Sequence, residues 1–228
     1  MKDWCIKIPE RYSQLGKADR KGRNPYAGFV RGYGISRCNV EELCDADPVF
    51  NSAVLASYER TYLRKEDVMN LYMLLRFYLS KIPFGHVVEF GSYLGGSAIF
   101  LAKVAKEFLP KVNVIGFDTF SGMPATDPSI DAHFEGEHIA ADLQGLRDFV
   151  SSSDLGNLRF VEGNFEKTAK ANLIDVGPVA LVHIDCDIYN SIAYCYEAVK
   201  PYLVDGAYIV FDDPLYANCL GAFEAVEE

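Results

Sequence analysis

"HVVEFGSYLGGSAIFLAKVAKEFL", residues 86–109, decides how this chain is read. "HVVEFG" is an apolar run of strand length, and "GSAIFLAKVAKEFL" is apolar with helical spacing. Glycines 91, 95 and 96 join the two, so the chain turns sharply from a buried strand into a helix. The same rhythm continues on both sides. Upstream, "KEDVMNLYMLLRFYLSKI" (65–82) has helical spacing and is ended by Pro83 and Gly85. Downstream, "KVNVIGFD", "NLRFVEG", "PVALVHID" and "AYIVFDD" read as strands. "ADLQGLRDFVSSS" and "SIAYCYEAVKPYL" read as helices, and "ANCLGAFEAVEE" begins another. Apolar strands separated by helices predict βαβ units: an α/β, Rossmann-like, doubly wound, mostly parallel sheet.

Composition limits the partners. The 228 residues carry a formal charge of −10, and half of them are hydrophobic. A sizeable core is therefore expected, while nucleic acid and anionic membrane, which reward basic patches, are not expected as partners. The six cysteines form no CxxC and no Cys-His zinc spacing, which suits reduced thiols and a cytoplasmic location. No signal peptide and no membrane-length apolar run is found. Residues 1–54 read as an arm or lid segment, irregular to about residue 50, ahead of a domain over 55–228. A dimer contact through the arm is compatible with this, so a homo-oligomer is left open. The stretch 121–140 has no periodicity, and long unpatterned loops are often lids.

In a doubly wound sheet, ligands bind at the carboxyl ends of the strands. Here those ends carry Glu89 to Gly91, Asp118, Gly163-Asn164, Asp185 to Asp187, and Asp212-Asp213. The turn "EFGSYLGGS" (89–97) is not a dinucleotide fingerprint. The second glycine of G-x-G-x-x-G is replaced by Tyr93, or by Ser92 if the register slips, and Glu89 would repel a phosphate. A cationic ligand without phosphate fits better. S-adenosylmethionine is such a ligand: its amino-acid end would lie over Gly91, Gly95 and Gly96, with Glu89 tuning the field for its ammonium. A plain tight turn accounts for the same residues. Asp118, at the next strand end, suits the ribose hydroxyls of any adenosine cofactor.

Four acids follow two strands. If the strand stays extended, Asp185 and Asp187 face one way and Cys186 the other. Four carboxylates on one rim repel each other, and a hard divalent cation relieves that. Acidic N-caps are the plainer alternative. His183 either shares the rim or is a satisfied core residue, while His133 and His138 are expected to face solvent.

"VVEFGSYLGGSAIFLA", "VIGFDTFSGMP", "NLRFVEGNFEKT" and "LVHIDCDIYNSIAYCYEAVKPYLVDGAYIVFDDP" resemble the macrocin O-methyltransferase family, over roughly residues 55 to 228. The resemblance implies a class I S-adenosylmethionine-dependent O-methyltransferase that acts on sugar hydroxyls of glycosylated natural products. It implies Mg2+ at Asp185, Asp212 and Asp213, with Asp187 as general base. It also implies that Arg60 or Thr61 caps the carboxylate of the methyl donor and that Asn164 lies near the adenine. Ser92, Tyr93, Ser97, Thr119, Phe165 and Asp185 complete the expected donor site. A catechol acceptor would fit the same geometry. Two rivals remain: a nicotinamide-dependent oxidoreductase, disfavoured by Tyr93, and a catalytically silent adenosine-binding partner subunit. The second draws on the strand count. Five strands are legible, whereas a class I methyltransferase sheet normally closes with two more, so the C-terminal closing strands are expected to be missing from the chain.

Overall fold

The computed structural model describes residues 39–140 and 142–228. Most of the expected arm thus lies outside the described residues, but its last part is not irregular. Two helices, α1 (Val40–Asp45) and α2 (Pro48–Ser57), occupy it. Asp47 caps α2 by accepting the Val49 N–H at 2.8 Å, and Pro48 supplies a preset first turn. Phe50 then buries its ring edge-on to Tyr72 (5.2 Å) and Phe100 (5.9 Å). The 54/55 boundary falls inside α2.

The helix expected over 65–82 is one rod in three windings. α3 (Lys65–Met73) passes into a wider π turn at Leu74–Tyr78 and a 3-10 turn at Leu79–Lys81. The sheet follows: β1 (His86–Phe90), β2 (Val114–Asp118), β3 (Leu158–Glu162), β4 (Val179–Ile184) and β5 (Leu203–Phe211). All four pairings are parallel, and the order is β3-β2-β1-β4-β5. The helices between them are α4 (Gly96–Phe108), α5 (Leu143–Ser152), α6 (Phe165–Val176) and α7 (Tyr189–Val199), and α8 (Leu220–Glu227) follows β5.

Strand alternation sends neighbouring residues to opposite cores. Val87 packs with Ala98, Leu101 and Leu146 on one face, and Val88 with Phe165, Leu173 and Ile192 on the other. The sheet is therefore covered on both sides, as the apolar strands require. Besides α1 and α2, the helix α6 had no counterpart in the sequence reading. Its buried Phe165, Ala169, Leu173 and Val176 keep helical spacing. The strand expected over 207–213 begins earlier, at Leu203, because Pro201 closes α7 in a 3-10 turn at Lys200–Tyr202. Its pairing with β4 is interrupted by a bulge between Val179 and Leu181. Among the described residues, no helix is long and apolar enough to cross a membrane.

Candidate active site

The chain runs outward from β1 to β2 to β3, then returns to place β4 on the other side of β1. That reversal opens a crevice at the carboxyl ends of β1 and β4. Gly91 ends β1 at φ +91°, and a Cβ on it would lie 1.6 Å from the Asp185 carbonyl oxygen. The two strand ends thus touch backbone to backbone. The turn is held from both sides. The Tyr93 N–H donates to Asp118 Oδ2 at 2.8 Å, and the Phe120 N–H donates to Oδ1 at 2.6 Å. Burial raises the Asp118 carboxyl above its ordinary value, and these two donors offset only part of the rise. The Gly96 N–H donates to the Arg60 carbonyl at 3.1 Å, which fixes residues 57–61, "SYERT", against the start of α4. Asn164 caps α6 through the Glu166 N–H at 2.9 Å.

Beyond Ile184 the strand does not stay extended. Asp187 sits at φ +61°, and the Ile188 N–H closes a tight turn on the Cys186 carbonyl at 2.6 Å. A turn, and not strand alternation, brings Asp185 and Asp187 to the same cavity. Asp213 is buried and accepts the N–H groups of Cys186 (3.1 Å) and Asp187 (2.8 Å). It is therefore a structural clamp between the β4 and β5 ends as well as a rim acid. Asp185, Asp212 and Asp213 each place a carboxylate oxygen within 4.8 Å of the others. Burial, and then the neighbouring carboxylates, push Asp185 and Asp213 well above the usual carboxylate range. A divalent cation would offset that repulsion, so the donor set fits one.

The loop 121–140 folds over this rim. The Met123 N–H donates to the Glu137 carbonyl (2.8 Å), and the Gly136 N–H donates to the Met123 carbonyl (3.0 Å). Its histidines do not simply face solvent. The His133 side chain is only 10% exposed, shares a 2.8 Å hydrogen bond with Glu137 and stands 3.7 Å from Asp187. Cys219 donates its thiol to Asp187 at 3.4 Å. The His138 ring packs edge-on to Tyr62 and Tyr93, 5.7 Å from each. His183 belongs to the core: it is fully buried, and its Nδ1 lies 3.0 Å from Glu89 Oε1. Burial alone would discharge it, but the Asp212 and Glu89 carboxylates outweigh burial and hold its pKa well above the ordinary value.

One cavity of about 750 Å³ joins these parts. Arg60, Thr61, Gly91, Ser92, Tyr93 and Ser97 line one side, and Asp118, Thr119, Asn164 and Phe165 adjoin them. Asp185, Asp187, Asp212 and Asp213 line the other end. Glu89 and Gly95 do not line it. The Glu89 carboxylate is taken up by Ser92 and His183, and Gly95 is packed against Leu146 and Phe160. The sequence reading missed Tyr216, Asn218 and Cys219, which line the cavity from beyond β5. No spacing marks them, because they reach it through the turn after Asp213.

A parallel sheet in this order, with its cavity at the switch point, is a Rossmann-like doubly wound sheet. Solved structures agree. The O-methyltransferase NovP superposes with a TM-score of 0.64 at 23% identity, over 74% of this chain and 72% of that one. The calicheamicin methyltransferase CalS11 superposes with a TM-score of 0.65 at 19% identity, over 97% and 85%. The family model of Macrocin-O-methyltransferase (TylF) matches residues 65–228; the chain belongs to this family and is an O-methyltransferase. Among curated relatives, the 8-demethyl-8-(2,3-dimethoxy-alpha-L-rhamnosyl)-tetracenomycin-C 4'-O-methyltransferase of Streptomyces olivaceus is 27% identical over 188 residues, 78% of this chain and 71% of its own length. The demethyldecarbamoylnovobiocin O-methyltransferase of Streptomyces niveus is 26% identical over 154 residues, 63% of this chain and 57% of its own length.

Proposed function

We propose that this chain transfers the methyl group of S-adenosylmethionine to a hydroxyl on the sugar of a glycosylated natural product, with magnesium held by Asp185, Asp212 and Asp213. One observation carries the reading: the Asp118 end and the four-carboxylate rim open into the same cavity. The two curated relatives are named for natural-product O-methylation, and one name contains a rhamnosyl group.

Each residue then has a task. Asp118 accepts hydrogen bonds from the ribose hydroxyls. Arg60 or Thr61 takes the donor's carboxylate, and the backbone of the glycine turn receives its amino-acid end. Asn164 and Phe165 border the adenine. Asp187 accepts the acceptor's hydroxyl proton as the oxygen bonds to the methyl carbon and the carbon–sulfur bond breaks. Bound at the triad, magnesium would orient that hydroxyl and lower its pKa. The loop 121–140 excludes water from the rim.

The test is a melting series with S-adenosylhomocysteine, with NAD and with magnesium, together with a turnover assay in excess chelator. Stabilisation by S-adenosylhomocysteine and loss of turnover in chelator are expected. Stabilisation by NAD alone would replace the donor assignment, and full turnover in chelator would remove the metal.

A further inference from the structure

Glu89 and His183 take no part in this chemistry, yet they are paired across β1 and β4 in the middle of the sheet. Both are 0% exposed. An ionisable pair at such depth costs several kcal/mol of desolvation that an apolar pair would avoid. What the pair touches at its ends is therefore informative. At one end, Ser92 Oγ donates to Glu89 Oε2 at 2.7 Å, and Ser92 sits in the glycine turn beside Tyr93, whose N–H holds Asp118. At the other end, His183 Nε2 is buried without a hydrogen-bond partner and points at Asp212 Oδ1 from 3.7 Å. That gap is about half an ångström longer than a hydrogen bond. Asp212 is one of the three carboxylates of the rim.

We propose that Ser92, Glu89, His183 and Asp212 form a coupling chain through which cation binding at the rim and methyl-donor binding at the glycine turn strengthen each other, with His183 as the positioning residue for Asp212. The inference rests on the functional reading above for what binds at each end. The open contact between His183 and Asp212 is the element with two settings. Closing it fixes the Asp212 carboxylate beside Asp185 and Asp213. Through Nδ1 and Glu89, it also sets the hydroxyl that steadies the turn. Because coupling between sites is reciprocal, each ligand must raise the other's affinity by the same factor.

The experiment is calorimetry on the full chain. S-adenosylhomocysteine is titrated with saturating magnesium chloride and again in chelator, and magnesium is titrated with and without S-adenosylhomocysteine. The unmodified protein should show equal coupling factors in both directions, of about fivefold or more. His183→Gln should weaken magnesium by about 10–100-fold and bring the coupling factor to about one. Its affinity for S-adenosylhomocysteine in chelator should stay close to that of the unmodified protein. If His183→Gln lacks a cooperative melting transition, Ser92→Ala carries the test, because the coupling factor is a ratio and is defined whatever the absolute affinities. Independent binding of the two ligands to the unmodified protein would overturn the chain while leaving the functional reading standing. Coupling that survives in both variants would show that the ligands act directly on each other, and would also overturn it. Failure of either ligand to bind at all would count against the functional reading instead.

Discussion

A methyl group at position 91 would strike the Asp185 carbonyl at 1.6 Å, so Gly91→Ala tests the seam between β1 and β4 directly. Backbone strain at its positive φ should cost about 1–3 kcal/mol, with the clash added. Gly136→Ala, also at positive φ but with nothing within 4 Å, should cost the strain alone. Urea unfolding of both variants separates the two contributions. Asp187→Asn should lower kcat by about 10²–10⁴ and leave calorimetric magnesium and S-adenosylhomocysteine affinities close to those of the unmodified protein. Asp185→Asn should instead weaken magnesium and be partly rescued by excess of it. Equal metal affinities in the two variants would merge the roles. His86 offers a pH handle away from the site. Its Nδ1 accepts the Asn113 N–H at 3.0 Å, and partial burial lowers its pKa below the ordinary 6.5. On acidification, the unfolded chain takes up that proton first. The stability His86 contributes is thus present above about pH 6.5 and is lost as pH falls through the folded value. Melting temperatures between about pH 7.5 and 5.5 should fall less steeply in His86→Gln than in the unmodified protein. The rim acids were legible because they come in two close pairs, each pair beginning directly after an apolar run. The setting of His133 was not, because its partners Glu137, Asp187, Asn218 and Cys219 come together only when the loop is folded.

At the scale of elements, α7 begins at Ile188-Tyr189 with no capping side chain of its own. Asp131, in the loop 121–140, supplies the acceptor: its Oδ1 takes the Tyr189 N–H at 2.9 Å and its Oδ2 the Asp127 N–H at 3.1 Å. The loop is thereby tied to the helix that follows the Asp187 turn. Asp131→Ala removes this acceptor, and should cost about 1–3 kcal/mol and speed proteolysis within 121–140. Acceptor together with S-adenosylhomocysteine should slow that cleavage in the unmodified protein; unchanged rates would argue against closure of the loop. Sequence periodicity identified α4, β1, β2 and β4 well, because their buried positions are contiguous. It passed over α6, whose buried Phe165, Ala169, Leu173 and Val176 are separated mostly by charged and polar residues. It also passed over α2, whose Asp47-Pro48 start looks like an ordinary loop until Phe50 is seen inside the core.

For the whole molecule, the strand order places both halves of the site across one switch point, so ligand binding should report on global stability. A hundredfold excess of S-adenosylhomocysteine over its dissociation constant should stabilise the chain by about 2.7 kcal/mol, and Asp118→Ala should remove most of that shift. A variant that keeps the full shift would move the donor away from β2. The alternation of strands and helices made the doubly wound class readable, but the order of strands in the sheet rests on crossovers that no local pattern records. The four acids stand on the ends of β4 and β5, whereas Met123, Pro124, Ala125 and His138 reach the same cavity from a surface loop. Loops accept substitution and insertion far more readily than strand ends do. If the proposed function holds, changes in that loop would alter which acceptor is methylated while the acids beneath it stay in place.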